Sequence, residues 1–196
     1  MTDHATELNA WQGVARLFAI MLLREIDAPL LAELNTFSAE LEKVGIELPT
    51  EDQLEELAAE YFQLFVNPKR SLPLVESLYR TGSYEGADAN DVRAIAESAG
   101  LEWDSDSARG VPVDHLGSLL MLWAHLVPLD RTVAEQFAIH HLAWAPSVLS
   151  QVKEGRSDRN QISGEVFYPR LCAAISTLIE AILDASQISP ADKSHS

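Results

Sequence analysis

Cysteine is almost absent from this chain: among 196 residues only Cys172 carries a thiol. That excludes a disulfide within the chain and a cysteine-held iron–sulfur cluster on one chain. Cys172 sits among apolar residues at helical spacing, where a buried, inert thiol is expected rather than a nucleophile. Lysine is scarce too, with only Lys43, Lys69, Lys153 and Lys193. Fourteen basic against 30 acidic side chains leave a formal charge of −16. Phosphate backbones need clustered Lys and Arg, so no nucleic-acid partner is expected. A basic peptide or basic protein segment suits the balance better, although the same charge also serves solubility. No window approaches about 20 uninterrupted apolar residues, and no basic stretch followed by an apolar run opens the chain. A cytoplasmic location is the expectation.

Catalytic and cofactor signatures are missing as well. Neither a Gly-x-x-x-x-Gly-Lys-Ser/Thr cradle nor a Gly-x-Gly-x-x-Gly turn occurs, and the six histidines never fall at His-x-x-x-His spacing. His140 and His141 are adjacent, about 100° apart on a helix, so one metal cannot be held by both from one face. Asp114, His115 and Ser118 invite a triad, but neither a nucleophile elbow nor an oxyanion loop accompanies them. No metal and no cofactor is expected.

What the chain has is apolar residues, 47% of the total, recurring at three- and four-residue spacing. One helix is predicted over 8–26, burying Trp11, Val14, Ala15, Phe18, Leu22 and Ile26. Asp27 and Pro29 open a second, through about Val44, with Leu30, Leu31, Leu34, Phe37 and Leu41 inward and Gly45 as its stop. Thr50 and Gln53 form a capping box for a third, with Leu54, Leu57, Ala58, Tyr61, Phe62 and Phe65 inward. One or two turns are expected over 74–80, then a loop over 81–89. Asn90 is the expected cap of a helix over 91–99 closed by Gly100. Asp130 caps another to about Trp144, burying Val133, Phe137, Ile139 or His140, and Leu142. Pro146 starts a short element, 155–160 is a loop, and a final helix runs over 162–185. No alternating strand pair joined by a hairpin turn is present. The class is all-α, a single compact helical domain over 1–185 with roughly eight to ten helices and a flexible tail over 186–196.

Residues 110–127 combine polar chemistry with the most apolar helix. With a helix start near Pro112, Leu116, Leu119, Leu120, Trp123, Leu126 and Val127 share the core face at about 100° per residue. Asp114 lies opposite, in line with Ser118, Met121 and His125, a line expected to meet a groove or another helix. Taken alone, Asp114 reads as a carboxylate capping its own helix. Aromatic residues near the helix mouths, Tyr61, Phe65, Tyr79, Tyr84, Trp103, Trp123 and Trp144, are mostly core. A subset near 67–84 and 110–115 is expected to form an apolar groove with an acidic rim, suited to a peptide carrying arginines.

Several segments, in order, resemble the TorD/DmsD/NarJ-type cytoplasmic chaperones of molybdopterin-containing redox enzymes. Tyr61-Phe-Gln-Leu-Phe-Val-Asn-Pro68 is similar to the family's Tyr-x-x-Leu-Phe…Pro helix end, and Leu72-Pro-Leu-Val-Glu-Ser-Leu-Tyr-Arg80 to its Pro-x-x-Glu-Ser-x-Tyr segment. Val111-Pro-Val-Asp-His-Leu-Gly117 resembles its Glu-Pro-x-Asp-His-x-Gly signature. His141-Leu-Ala-Trp-Ala-Pro146 and Phe167-Tyr168 resemble its closing helices, so the likeness covers most of 8–185. It implies the family's single helical domain, monomeric or as a homodimer that is sometimes domain-swapped. It also implies binding of a molybdopterin oxidoreductase precursor, by its signal peptide, often twin-arginine, or by another part, until the molybdenum cofactor is inserted. The motifs carry the peptide-binding role onto Asp114, His115 and Pro112, onto Glu76, Ser77, Tyr79 and Arg80, and onto Tyr61 and Phe65. Glu76 and Arg80 equally form a possible structural ion pair. Val111 stands where the family commonly has Glu; either the acidic stretch 102–106 substitutes or the client differs. The competing readings are a small hydrolase using Asp114 and His115, and a generic helical adaptor.

Overall fold

The computed structural model describes residues 4–69, 71–102, 110–154 and 167–187. Among these are ten α-helices: α1 (His4–Leu23), α2 (Ala28–Asn35), α3 (Ser38–Lys43), α4 (Leu54–Tyr61), α5 (Glu76–Thr81), α6 (Ala87–Ser98), α7 (Leu116–Leu126), α8 (Arg131–His141), α9 (Ala145–Glu154) and α10 (Phe167–Gln187). No β-strand occurs among the described residues beyond one isolated antiparallel bridge, Val75 to His115.

The most apolar helix, α7, is the axis of the body, with α1 laid along it and α8 beside it, while α10 packs on α8, α9 and α1. Leu116, Leu119, Leu120, Trp123 and Leu126 are buried as the periodicity predicts. The approach of α1 depends on Gly117. A methyl group there would meet Leu23 Cγ at 2.6 Å and the Ala19 carbonyl at 3.0 Å, so only glycine lets the backbones come this close. At the other end, Pro128 has no N–H to offer the Ala124 carbonyl four residues back. Gln12 Nε2 at 2.6 Å and Arg16 at 3.3 Å donate to that oxygen instead, tying α1 to α7 a second time.

Capping residues behave largely as the sequence foretells. Asp27 Oδ1 accepts the Leu30 N–H at 2.9 Å and Asp130 Oδ1 the Val133 N–H at 3.1 Å. The Thr50–Gln53 capping box forms, opening onto a 3-10 turn before α4. Gly45 and Gly100, with φ of +79° each, close α3 and α6 in the left-handed conformation that glycine adopts without strain.

Other expectations are corrected. The predicted second helix breaks at Thr36 and Phe37, where the Thr36 hydroxyl turns back onto the Glu33 carbonyl at 2.7 Å, and Phe37 is 46% exposed. Phe62 points outward and Leu64 inward because residues Phe62–Val66 wind into a π turn, whose extra residue shifts the buried face. The helix placed after Asn90 starts four residues sooner, at Ala87 behind Gly86; Ala87 and Ala89 are strong helix formers, and Asn90 instead accepts from Arg93. On α8, Val133 is exposed and His141 is buried in place of Ile139 or His140. Helix α10 continues through Gln187, so Ser186, expected in the tail, is buried with its hydroxyl on the Ile182 carbonyl. Trp103, the loop over 155–160, the start of the final helix and the rest of the tail lie outside the described residues.

Cys172 is buried, and burial pushes its thiol up to about 12, the inert behaviour expected of it. Glu60 Oε2 accepts the Tyr168 N–H at 3.2 Å, an acceptor at the N-terminal end of α10.

Candidate functional site

The signature segment is a turn before it is a helix. The His115 N–H closes onto the Pro112 carbonyl at 3.0 Å, and α7 begins only at Leu116. His115 is therefore the cap of α7: its Nδ1 accepts the Gly117 N–H at 3.1 Å. Asp114 caps as well, but across the fold. Its Oδ2 accepts the Ser77 N–H at 2.9 Å, at the first turn of α5, 37 residues away in sequence. The capping role read from the sequence is correct in kind and wrong in helix.

Backbone bonds join the same two segments. The Glu76 N–H donates to the Asp114 carbonyl at 3.0 Å and the Leu116 N–H to the Leu74 carbonyl at 2.7 Å, either side of the Val75–His115 bridge. Around this neck Asp114, Glu76 and Ser77 have no exposed surface.

Burying a carboxylate is costly unless its oxygens are engaged; Asp114 leaves Oδ1 without a partner among the described residues, whereas both oxygens of Glu76 are held. Its Oε1 accepts Arg80 Nε at 2.8 Å and its Oε2 lies 2.9 Å from His141 Nδ1; facing an acceptor-only carboxylate, that nitrogen is the donor. Arg80 also donates to the His140 carbonyl at 2.5 Å and lies 3.7 Å from Asp88. Glu76 and Arg80 thus form the structural ion pair held open above, and they join α5, α6 and α8. Beside them Tyr79 stacks on Trp144 at 5.4 Å, with its hydroxyl 3.0 Å from Ser147 Oγ. Tyr79 remains 43% exposed.

Tyr61 and Phe65 are elsewhere. They pack on Tyr168 at centroid distances of 5.4 Å each, and the Tyr61 hydroxyl donates to the Leu22 carbonyl at 3.1 Å. That aromatic cluster binds the α4 end to α1 and α10. Burial pushes the Tyr61 hydroxyl up to about 12 and raises that of Tyr168 further.

His141, Trp144 and Ser147 belong to this constellation, and sequence reasoning left them out of the site. The signal for His141 and Trp144 was the His141–Pro146 segment, which matched the family without being given a role; Ser147, just past it, had none. Burial lowers His115 to about 4, against the opposing pull of the Asp114 carboxylate, so the ring is neutral at pH 7. Asp114, His115 and Ser118 each bond a different backbone group, the Ser118 hydroxyl going to the Pro112 carbonyl at 3.2 Å. A triad needs these three side chains bonded to one another. No group of three His, Cys, Asp or Glu side chains among the described residues converges to hold a metal.

Next to the Glu76–Arg80–His141 chain a cleft of about 710 Å³ opens, lined by Arg80, Asp88, Asp91, Ile95, Ile139 and His140 among others. Neither Asp114 nor His115 lines it. A second hollow of about 200 Å³ shares Ile95, His140 and His141 with it and continues to Val133 and Phe137.

The profile of the nitrate reductase delta subunit family matches residues 24–150, well over half of the chain. The chain belongs to that family. The matched span holds the whole neck and both hollows, while α1 lies before it and α10 after it. No protein of curated function and no solved structure matches the sequence. Nitrate reductase delta family members are chaperones for molybdoenzyme maturation and not catalysts. The ten-helix body is consistent with the TorD-like fold, and no described helix is long and apolar enough to cross a membrane.

Proposed function

We propose that this delta-family chain is a cytoplasmic, system-specific chaperone. It holds a molybdopterin oxidoreductase precursor, by a signal peptide or another segment of the apoprotein, until the cofactor is inserted. The observation that carries this reading is the neck. The two motif segments that resemble the family's most specific patterns, 74–80 and 111–117, bond directly to each other and form one rigid wall beside an acid-rimmed cleft. In this reading Asp114, His115, Pro112, Glu76 and Ser77 position the wall, and the exposed Tyr79 and the cleft meet the client. Arg80 fastens α5 to α6 and α8, and Tyr61 and Phe65 brace the body. The acidic stretch 102–106, one of the two alternatives that Val111 leaves open beside a different client, is described only at Glu102; the acidic groups lining the cleft are Asp88 and Asp91. A formal charge of −16 favours a basic segment, a twin-arginine leader included.

Calorimetric titration with the leader peptide of a co-expressed molybdoenzyme, with co-purification of its apo-subunit, tests the reading. Saturable binding of either supports it, and binding of neither overturns it.

A further inference from the structure

We propose that the cleft between α6 and α8 reads a basic side chain and an apolar side chain on one client segment, the basic group at Asp91 and the apolar group between Ile95, Val133 and Phe137. This rests on the chaperone reading and names the chemistry of the segment held. The charged part of the cleft, about 710 Å³, falls in the roughly 300–1,000 Å³ range of cavities that accept a ligand-sized group. It continues into the apolar hollow through Ile95, His140 and His141, residues common to both. The two together form one groove, polar at one end and apolar at the other.

Charge complementarity names the occupant. Among the described residues Arg80 is the one Lys or Arg side chain lining the groove, and its guanidinium is already engaged by Glu76 and the His140 carbonyl. It therefore neutralises Asp88 only across 3.7 Å. Asp91, one turn further along α6, is exposed and has no ion-pair or hydrogen-bond partner among the described residues. An arginine or lysine is the group this rim attracts, and at a half-open site the attraction weakens as salt screens it. At the far end Val133, 39% exposed at the first turn of α8, offers aliphatic surface that the described residues leave open. An amphipathic segment laid along α6 and α8 would bury that surface while its cation reaches Asp91.

The test uses the full chain and the apo catalytic subunit of a co-expressed molybdoenzyme. Four proteins are titrated against it at low and at physiological salt: wild type, Asp91→Lys, Val133→Asp and Glu42→Lys. Glu42 is exposed on α3 and away from the groove, so it carries the same charge reversal elsewhere. All three substitutions are at exposed helix positions, and thermal melts verify their folding. Asp91→Lys and Val133→Asp are each expected to weaken binding about ten-fold, Asp91→Lys with a flatter salt dependence, while Glu42→Lys binds as wild type. Wild-type affinity in both groove variants overturns the groove and leaves the chaperone reading standing. Equal weakening by Glu42→Lys also overturns it, because bulk charge is then the attraction. Failure of the wild-type chain to bind the apo-subunit overturns both.

Discussion

At the scale of single residues, Asp114 shows how one carboxylate ties two distant segments together. Its Oδ2 bond to the Ser77 N–H is fully buried, and removal of the acceptor strands that donor away from water. Asp114→Ala is therefore expected to cost about 2–3 kcal/mol, read as a lower denaturation midpoint, with client binding lost through the wall and not through a contact. An unchanged midpoint with binding lost would favour instead the direct peptide-binding role that the resemblance implies for Asp114. His115 supplies a pH signature. Its folded pKa, about 4, lies below the ordinary 6.5, so the unfolded chain takes up the proton first as pH falls. Its contribution is complete above pH 6.5 and lost between there and about 4, on the order of 3 kcal/mol at most. His115→Asn keeps an acceptor for the cap and removes the titration. The stability of wild type relative to this variant, measured by urea melts across that window, should fall as pH falls.

Among the helices, the π turn Phe62–Val66 decides which aromatic or aliphatic group enters the core. Leu64→Ala is expected to destabilise by about 2–5 kcal/mol and Phe62→Ala by under about 0.5 kcal/mol, an order a regular helix would reverse and thermal melts will read. Spacing arguments assume 3.6 residues per turn, so Leu30, Leu57 and Trp123 were legible as core while Leu64 and His141 were not. A π turn contains the same residue types as the helix it interrupts. His141 is drawn inward by Glu76 from 65 residues away, and no local pattern records that. The neck was legible only as two separate motifs, because the sequence lists its halves without their pairing. Gly117 is the exception: the glycine of the signature has a visible reason once Ala19 and Leu23 are seen against it.

Across the whole molecule, a formal charge of −16 makes the folded state repel itself. Raising salt from about 10 mM to about 0.3 M shortens the screening length several-fold and should raise the melting temperature by a few degrees. Client capture should weaken over the same range. The two responses have opposite signs, so one salt series separates stability from recognition; a melting temperature that falls with salt would show that local ion pairs outweigh the net repulsion. Whole-molecule features were the easiest to read in advance. The all-helical class follows from periodicity and the family from the resemblance of the ordered motifs, neither of which requires knowing which helices touch.

Because the Glu76 and Leu116 N–H groups bond across to Asp114 and Leu74, the chain between them leaves and returns through a single clasp. The ends of that excursion stay together whatever its length, and each doubling of a loop so closed adds only about 0.6 kcal/mol of entropy. Lengthening the largely exposed turn 82–86 is thus entropically mild, whereas α6 behind it stays fixed by the burial of Ala89, Val92 and Ala96. Exchanging only the outward positions of α6, Asp91 among them, would leave that core and the clasp in place, so on the groove proposal client choice should move with the grafted surface while the melting temperature does not.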